Sequence, residues 1–481
     1  MVVMPSRTLV LVFFMQLSRC ACLERPRQQA PPASHRHIVP LHRQRVPVRS
    51  EDGIVSFKSV YFGTVFLGMP RQRFSMVFDT GSGHVIVPSV GCHSETCTMH
   101  SRYDPRLSSK SEEVDYDGTP IQAGAPRDQI TVAFGTGEVT GQFANELLCL
   151  GTDQEEPPPK EAARSQAGKA FLGETNASIR DALDEVPPEC IPVRIVMATE
   201  MTQEPFASFT FDGVLGLGLE GLALAPEFSY FGMLAKLGQL AHGSFGVFLA
   251  DSDDDFSEIS FGGHNPDRVS SALTYVPVAM PELGYWQVQI LAVRVGGKPM
   301  DFCNDGQCRA VVDTGTSLIA VPGAFADPLQ DALESSLQDP EPQAASALNC
   351  RDAVGPLLEF DIDENGATLT LGPGDYARSS IQTAEDDADE AVDAAAKALG
   401  GEDVAPPQEA KCRPTLMPID LPEPLGPKLF ILGEPVLRKY YTTYDWQLKR
   451  VGFGLAAHSH ADEDDDETDD APLLTRPLLM L

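Results

Sequence analysis

The sequence predicts a mainly β protein of two homologous β lobes with a central cleft and a few short helices. Three observations carry this. From Val60 onward the chain breaks into short alternating segments, such as Val60 to Gly68 and Arg73 to Phe78, punctuated by Gly and Pro turns in the pattern of strands. Next, Val77-Phe78-Asp79-Thr80-Gly81-Ser82 recurs as Val311-Val312-Asp313-Thr314-Gly315-Thr316. Finally, each copy has a partner far downstream, two apolar residues and a glycine: Val214-Leu215-Gly216 for the first and Ile431-Leu432-Gly433 for the second. A single Asp-Thr-Gly occurs in ordinary turns. Two copies, each on an apolar strand and each with a distant partner, read as a duplicated lobe, spanning residues 60–249 and 250–455.

The peripheral segments follow in order. A chain of 481 residues exceeds one hydrophobic core and leaves room for extensions around two lobes. Arg7, the apolar run Leu9 to Phe14 and the small residues near Ala21 read as a signal peptide over residues 1–22, too short to span a bilayer. Residues 23–50 are basic, with Arg25, Arg27, Arg36, Arg43, Arg45 and Arg49 against Glu24. This strip reads either as a flexible linker or as a propeptide lying over an acidic cleft, released when carboxylates protonate. The best helical stretches are Glu227 to Leu240 and Ala324 to Leu337. An insertion over 151–189, Pro-rich and charged, contains the glycosylation sequon Asn176-Ala177-Ser178. A second, Ala- and acid-rich, covers 378–411, and an acidic tail covers 456–481.

A net charge of −33 argues against nucleic-acid partners and for a chain at home in acid, where protonation relieves self-repulsion. Much of the excess lies in Glu385 to Asp403 and Asp462 to Asp470, runs of a kind that is usually solvated. No segment after the leader is long enough to cross a membrane, so no stable membrane insertion is expected; a monomer in the secretory pathway, extracellular or lysosomal/vacuolar, is. Of ten cysteines, Cys20 and Cys22 leave with the leader. The other eight fall into short or bracketing pairs, Cys92 with Cys97, Cys149 with Cys190, Cys303 with Cys308 and Cys350 with Cys412. An even count behind a signal peptide reads as a disulfide framework. No histidines stand at ligand spacing beside them, so no metal is expected.

The duplicated triplets carry the chemistry. An apolar strand that delivers a carboxylate into a Gly turn places a charge where burial is costly. If Asp79 and Asp313 meet between the lobes, their like charges resist joint ionisation and the pair shares one proton. One carboxylate then serves as general base on a water while its protonated partner polarises a carbonyl. Gly81 and Gly315 let backbone amides approach the carboxylates, Ser82 and Thr316 offer hydroxyl hydrogen bonds, and Thr80 and Thr314 brace the turns.

With these motifs in place the chain resembles the pepsin and cathepsin D family of aspartic peptidases over most of Val60 to Leu455. Tyr61-Phe62-Gly63-Thr64, both Asp-Thr-Gly strands, Phe211-Asp212-Gly213-Val214-Leu215-Gly216-Leu217, Phe261-Gly262-Gly263, Tyr285-Trp286-Gln287, Ile431-Leu432-Gly433 and Tyr440-Tyr441-Thr442 match in order. The resemblance implies the bilobal pepsin-like acid protease fold, no metal and no cofactor, protein and peptide substrates, and bonds 92/97, 303/308 and 350/412, with 149/190 as an addition. It implies further that Val77, Phe134, Phe211 and Val214 line the pocket before the scissile bond, with Tyr285 and Val311 on the leaving side. Two departures stand out. The hairpin tip that covers the cleft, usually Tyr-Gly-Thr-Gly, reads Phe134-Gly135-Thr136-Gly137, and the tryptophan that pairs with that tyrosine is replaced by Ile86. Losing both polar partners together leaves an apolar contact rather than an orphaned hydroxyl. His84, where Asn is frequent, reads as a surface or turn residue, and Glu434 replaces the usual Asp. The rival reading is a catalytically inactive, pepsin-shaped binding or inhibitor protein.

Overall fold

The strand that carries Asp79, Gln72–Asp79, pairs in parallel with Gly213–Gly216, bringing Val77 beside Val214 and Asp79 beside Gly216. The strand after the turn, Val85–Pro88, then pairs antiparallel with the other edge of Gly213–Gly216. The second lobe repeats this topology. Arg309–Val312 runs parallel to Leu429–Leu432, which pairs antiparallel with Ile319–Pro322. The distant apolar-Gly elements of the sequence are therefore the middle strands of two related units. Their residues are almost wholly buried, as near-continuous apolar runs require.

The computed structural model describes residues 36–49, 54–122, 125–135, 137–151, 186–187, 189–252, 255–340, 348–382 and 410–458. The signal peptide, Thr136, Asn176, nearly all of the insertion 151–189, residues 383–409 of the acidic insertion and the tail beyond His458 lie outside them. A sheet of six strands joins the two halves, ordered Thr274–Pro277, Arg450–Leu455, Tyr440–Asp445, Ser244–Phe248, Ser257–Phe261 and the first part of His37–Arg49. Aromatic side chains from this sheet fill the space behind the triplets. Phe245 stacks on Tyr444 with centroids 4.6 Å apart, and Trp286, fully buried, meets both edge-on. The Trp286 indole donates to Leu217 O at 2.8 Å, tying the second lobe to the strand end of the first.

Of the basic strip, residues 36–49 are described. From His37 to Arg49 it is a strand, pairing with Ser257–Phe261 and then with Ile54–Leu67, and none of its residues lines the cleft. Its apolar residues Val39, Leu41 and Val46 are buried, and their burial holds the strip in the sheet despite its arginines. Both helices are shorter than expected. Tyr230–Lys236 begins at the Ser229 cap, whose side chain accepts from Gly232 N, after a 3-10 turn over Pro226–Phe228; Gly238, at φ +67°, follows its end. Gly323–Glu334 stops before Leu337 because Gln338 leaves to pair with Val354. The bonds Cys92–Cys97, Cys149–Cys190, Cys303–Cys308 and Cys350–Cys412 all form.

Candidate active site

Each triplet turn is locked by the other. Thr80 N donates to Thr314 Oγ1 at 3.0 Å and Thr314 N donates to Thr80 Oγ1 at 3.0 Å. The same hydroxyls donate onward across the boundary, Thr80 to Val312 O at 2.8 Å and Thr314 to Phe78 O at 2.6 Å. Thr80 has no exposed surface and its bond to Val312 O is buried, while the three bonds that involve the Thr314 side chain or amide are part-buried. They fix the two strand ends, and with them the carboxylates one residue before.

Asp79 and Asp313 are each 8% exposed. Gly81 N donates to Asp79 Oδ1 and Gly315 N to Asp313 Oδ1, both at 2.9 Å. The glycines also admit the opposite carboxylate: a Cβ on Gly81 would stand 2.8 Å from Asp313 Oδ1, and one on Gly315 would collide with Asp79 Oδ1. The two carboxylates therefore face each other with no room for any larger residue in either turn. Thr316 Oγ1 donates to Asp313 Oδ2 at 2.6 Å. Its counterpart is less engaged; Ser82 stands close enough to draw the Asp79 pKa down in part, but its buried hydroxyl makes no hydrogen bond of full geometry among the described residues. Burial first, and the neighbouring Asp313 second, push the Asp79 carboxyl up to about 8. A carboxyl in this state keeps its proton where an ordinary aspartate is ionised.

The pair opens onto a cleft of about 780 Å³ whose walls include Val77, Phe134, Gly135, Phe211, Val214, Tyr285, Thr316, Leu318 and Met417. Burial, then Asp313 and Asp79, raise the pKa of Tyr285, as expected for a phenol facing acids. The hairpin of Ile130–Phe134 and Gly137–Leu150 projects over this space, and Gly135 at its tip takes φ +59°, a conformation suited to glycine. Phe134 and Ile86 belong to one apolar cluster and line one small cavity behind the hairpin, together with Phe206 and Met201. Phe134 meets Phe206 edge-on at 6.0 Å. The contact that replaces a hydroxyl–indole pair is thus made by packing.

Val311 lies buried in its strand opposite Gln287, and it is the residues flanking it, Ala310 and Val312, that join the hydrophobic core. One expectation changes. His84 is not a surface residue: it is buried, lies edge-on to Phe228, accepts from Leu224 N through Nε2 at 3.2 Å, and has its pKa lowered to about 4 by burial. A neutral ring is what such an acceptor requires. Glu434 is buried and accepts from the Tyr61 hydroxyl at 2.9 Å, with Arg438 at 3.7 Å. Sequence reasoning missed a positioning role for Asp212, which accepts from Ser75 N at 2.8 Å and Ser101 N at 2.7 Å and so anchors the turn that presents Phe211. The signal was present, since Asp212 sits between two residues already singled out.

Comparison with known proteins agrees with this geometry. Residues 60–152 and 190–456 match the eukaryotic aspartyl protease family, and the gap between them falls on the insertion bracketed by Cys149 and Cys190. The chain is 31% identical to cathepsin E of Oryctolagus cuniculus over 402 residues, covering 82% of this chain and 80% of that protein. It is 27% identical to pepsin A of Canis lupus familiaris, with 82% and 81% covered, and 28% identical to human gastricsin, with 83% and 82% covered. With paired Asp-Thr-Gly turns interlocked at the floor of one cleft and a family match over most of its length, the chain belongs to the eukaryotic aspartyl proteases.

Proposed function

We propose that the protein is an aspartic endopeptidase that hydrolyses peptide bonds of proteins in acid. The observation that carries this reading is the reciprocal threonine lock, which presents Asp79 and Asp313 together in the cleft. A water held between the carboxylates loses a proton to the ionised member as its oxygen attacks the scissile carbonyl carbon, while the protonated member hydrogen-bonds the carbonyl oxygen. The tetrahedral species then collapses; the C–N bond breaks as a proton from the pair passes to the leaving nitrogen. Val77, Phe134, Phe211 and Val214 favour apolar residues before the cut and Tyr285 after it.

The four disulfides fit an oxidising compartment, and among the described residues no helix is long and apolar enough to cross a membrane. We place the protein in the secretory pathway, extracellular or in an acidic vacuole or lysosome, acting as a monomer. The deciding experiment follows a quenched apolar peptide across pH, with and without a statine-type transition-state mimic. Cleavage in acid that the mimic blocks is the expected result; a folded protein that binds the mimic without cleaving the peptide belongs instead to the inactive binding class.

A further inference from the structure

A second cavity, of about 370 Å³, shares no lining residue with the cleft. Its charged walls are Arg351, Arg378, Arg438, Lys439 and His458 against Asp251 and Asp375, a cationic concentration in a chain of net charge −33. The acids present are already engaged. Asp375 Oδ2 takes Lys439 Nζ and Gly372 N, each at 2.7 Å, while Asp251 is shared at longer range by His458 Nδ1 at 3.5 Å and Arg351 at 4.0 Å. Glu434, behind Arg438, is held by Tyr61. Arg378 donates through Nη1 to the carbonyls of Asp375 and Ala377 at 2.7 and 2.9 Å, with Glu434 in its electrostatic field. Arg438 Nε is buried without a hydrogen-bond partner among the described residues, while Arg438 Nη2 donates to Asp251 O and His458 Nε2 is bonded to Arg438 O at 2.7 Å. Burial depresses the pKa of Arg351 and lowers that of Arg378 to about 10; Arg438 depresses both further, and Arg43 and Arg45 add to the positive field at Arg351.

We propose that this cavity binds clustered carboxylates, and that its occupant is the chain's own acidic run from Asp462 to Asp470. Eight of those nine residues are acids. His458 itself lines the cavity, so Asp462 stands within about 14 Å of it by chain length alone. The other acidic run is less well placed: its first acid, Glu385, follows Arg378 by seven residues, about 23 Å of extended strand. Guanidinium forks match carboxylates geometrically, and pairing of this kind weakens as salt screens it.

The test uses the full chain with every acid from Asp462 to Asp470 replaced by its amide, and a labelled peptide of residues 461–470 as the probe in fluorescence anisotropy. The amide-tailed chain should bind the peptide, with affinity falling at least about tenfold between low and high salt. The unaltered chain should bind it at least about tenfold more weakly, because its own tail competes. Arg351→Glu, at a half-exposed side chain that tolerates change, should weaken the amide-tailed chain about tenfold, and Lys439→Gln serves as a second variant, with thermal melting reporting that each is folded. Absence of binding, indifference to both substitutions, or equal binding by the unaltered chain would overturn the proposal. So would preferential binding of a peptide spanning residues 383–403, which would give the cavity to the insertion instead.

Discussion

At the scale of single residues, the site depends on atoms that cannot be exchanged without altering the proton shared between lobes. Asp79→Asn and Asp313→Asn keep the size of the side chain and the acceptor for the glycine amide but abolish that sharing. Each should lower kcat by about 10²–10⁴-fold with the fold retained, checked by peptide turnover beside circular dichroism. Wild-type turnover should be greatest in acid and fall away as pH approaches the raised Asp79 pKa of about 8, because the electrophilic proton is then lost. The flap makes a finer claim. Phe134→Tyr alone brings a hydroxyl to a wall whose near member is Ile86, and should gain little. Combined with Ile86→Trp, the effect on kcat/KM should be non-additive by about 0.5–3 kcal/mol in a double-mutant cycle. Additive values would sink the account of the missing hydroxyl–indole pair.

Among the elements, the strand His37–Arg49 was least legible. Its three arginines hid the apolar spacing of Val39, Leu41 and Val46, and only a partner strand on each side reveals what that spacing serves. Leu41, 5% exposed, gives a direct measure of its weight. Leu41→Ala should cost about 2–5 kcal/mol in urea unfolding, whereas a strip merely draped on the surface would tolerate the change. The same packing bears on activation. A chain begun at Glu51 removes two pairing surfaces at once and should unfold at lower urea than the full chain at every pH. The hairpin, by contrast, was legible through the resemblance of Phe134-Gly135-Thr136-Gly137 to the family's cleft-covering tip, and Gly135 takes there a positive φ that favours glycine.

For the molecule as a whole, the acid pair couples stability to pH. The Asp79 carboxyl keeps its proton in the fold up to about 8, while in the unfolded chain it ionises near the ordinary value of 3.8. Between these values the unfolded state binds fewer protons than the native state, so stability is full below the lower pKa and falls as pH rises toward the upper one. The net charge of −33 pushes the same way, through repulsion that grows as carboxylates ionise. Thermal melting should therefore show a lower Tm at pH 7 than at pH 4. In Asp79→Asn, which carries no titrating group there, that decline should be visibly shallower; an unchanged slope would mean that the pair is not the group responsible.

The duplicated triplets, their distant glycine partners and the cysteine spacing determined the two-lobed β fold, the acid pair and all four disulfides, because each is a local pattern whose physical demand is unambiguous. A carboxylate on an apolar strand needs a compensating partner, and only one other strand in the chain offered it. What the tertiary structure alone decided were facts about direction and neighbours. His84 is drawn inside by Phe228 and a backbone donor, and His37–Arg49 becomes a strand between two others. The cationic cavity belongs with these: Arg351, Arg378, Arg438 and His458 lie far apart in sequence and meet only when the second lobe closes on its own strands. Burial and charge clustering depend on distances through space, and along a chain such distances are set by the fold.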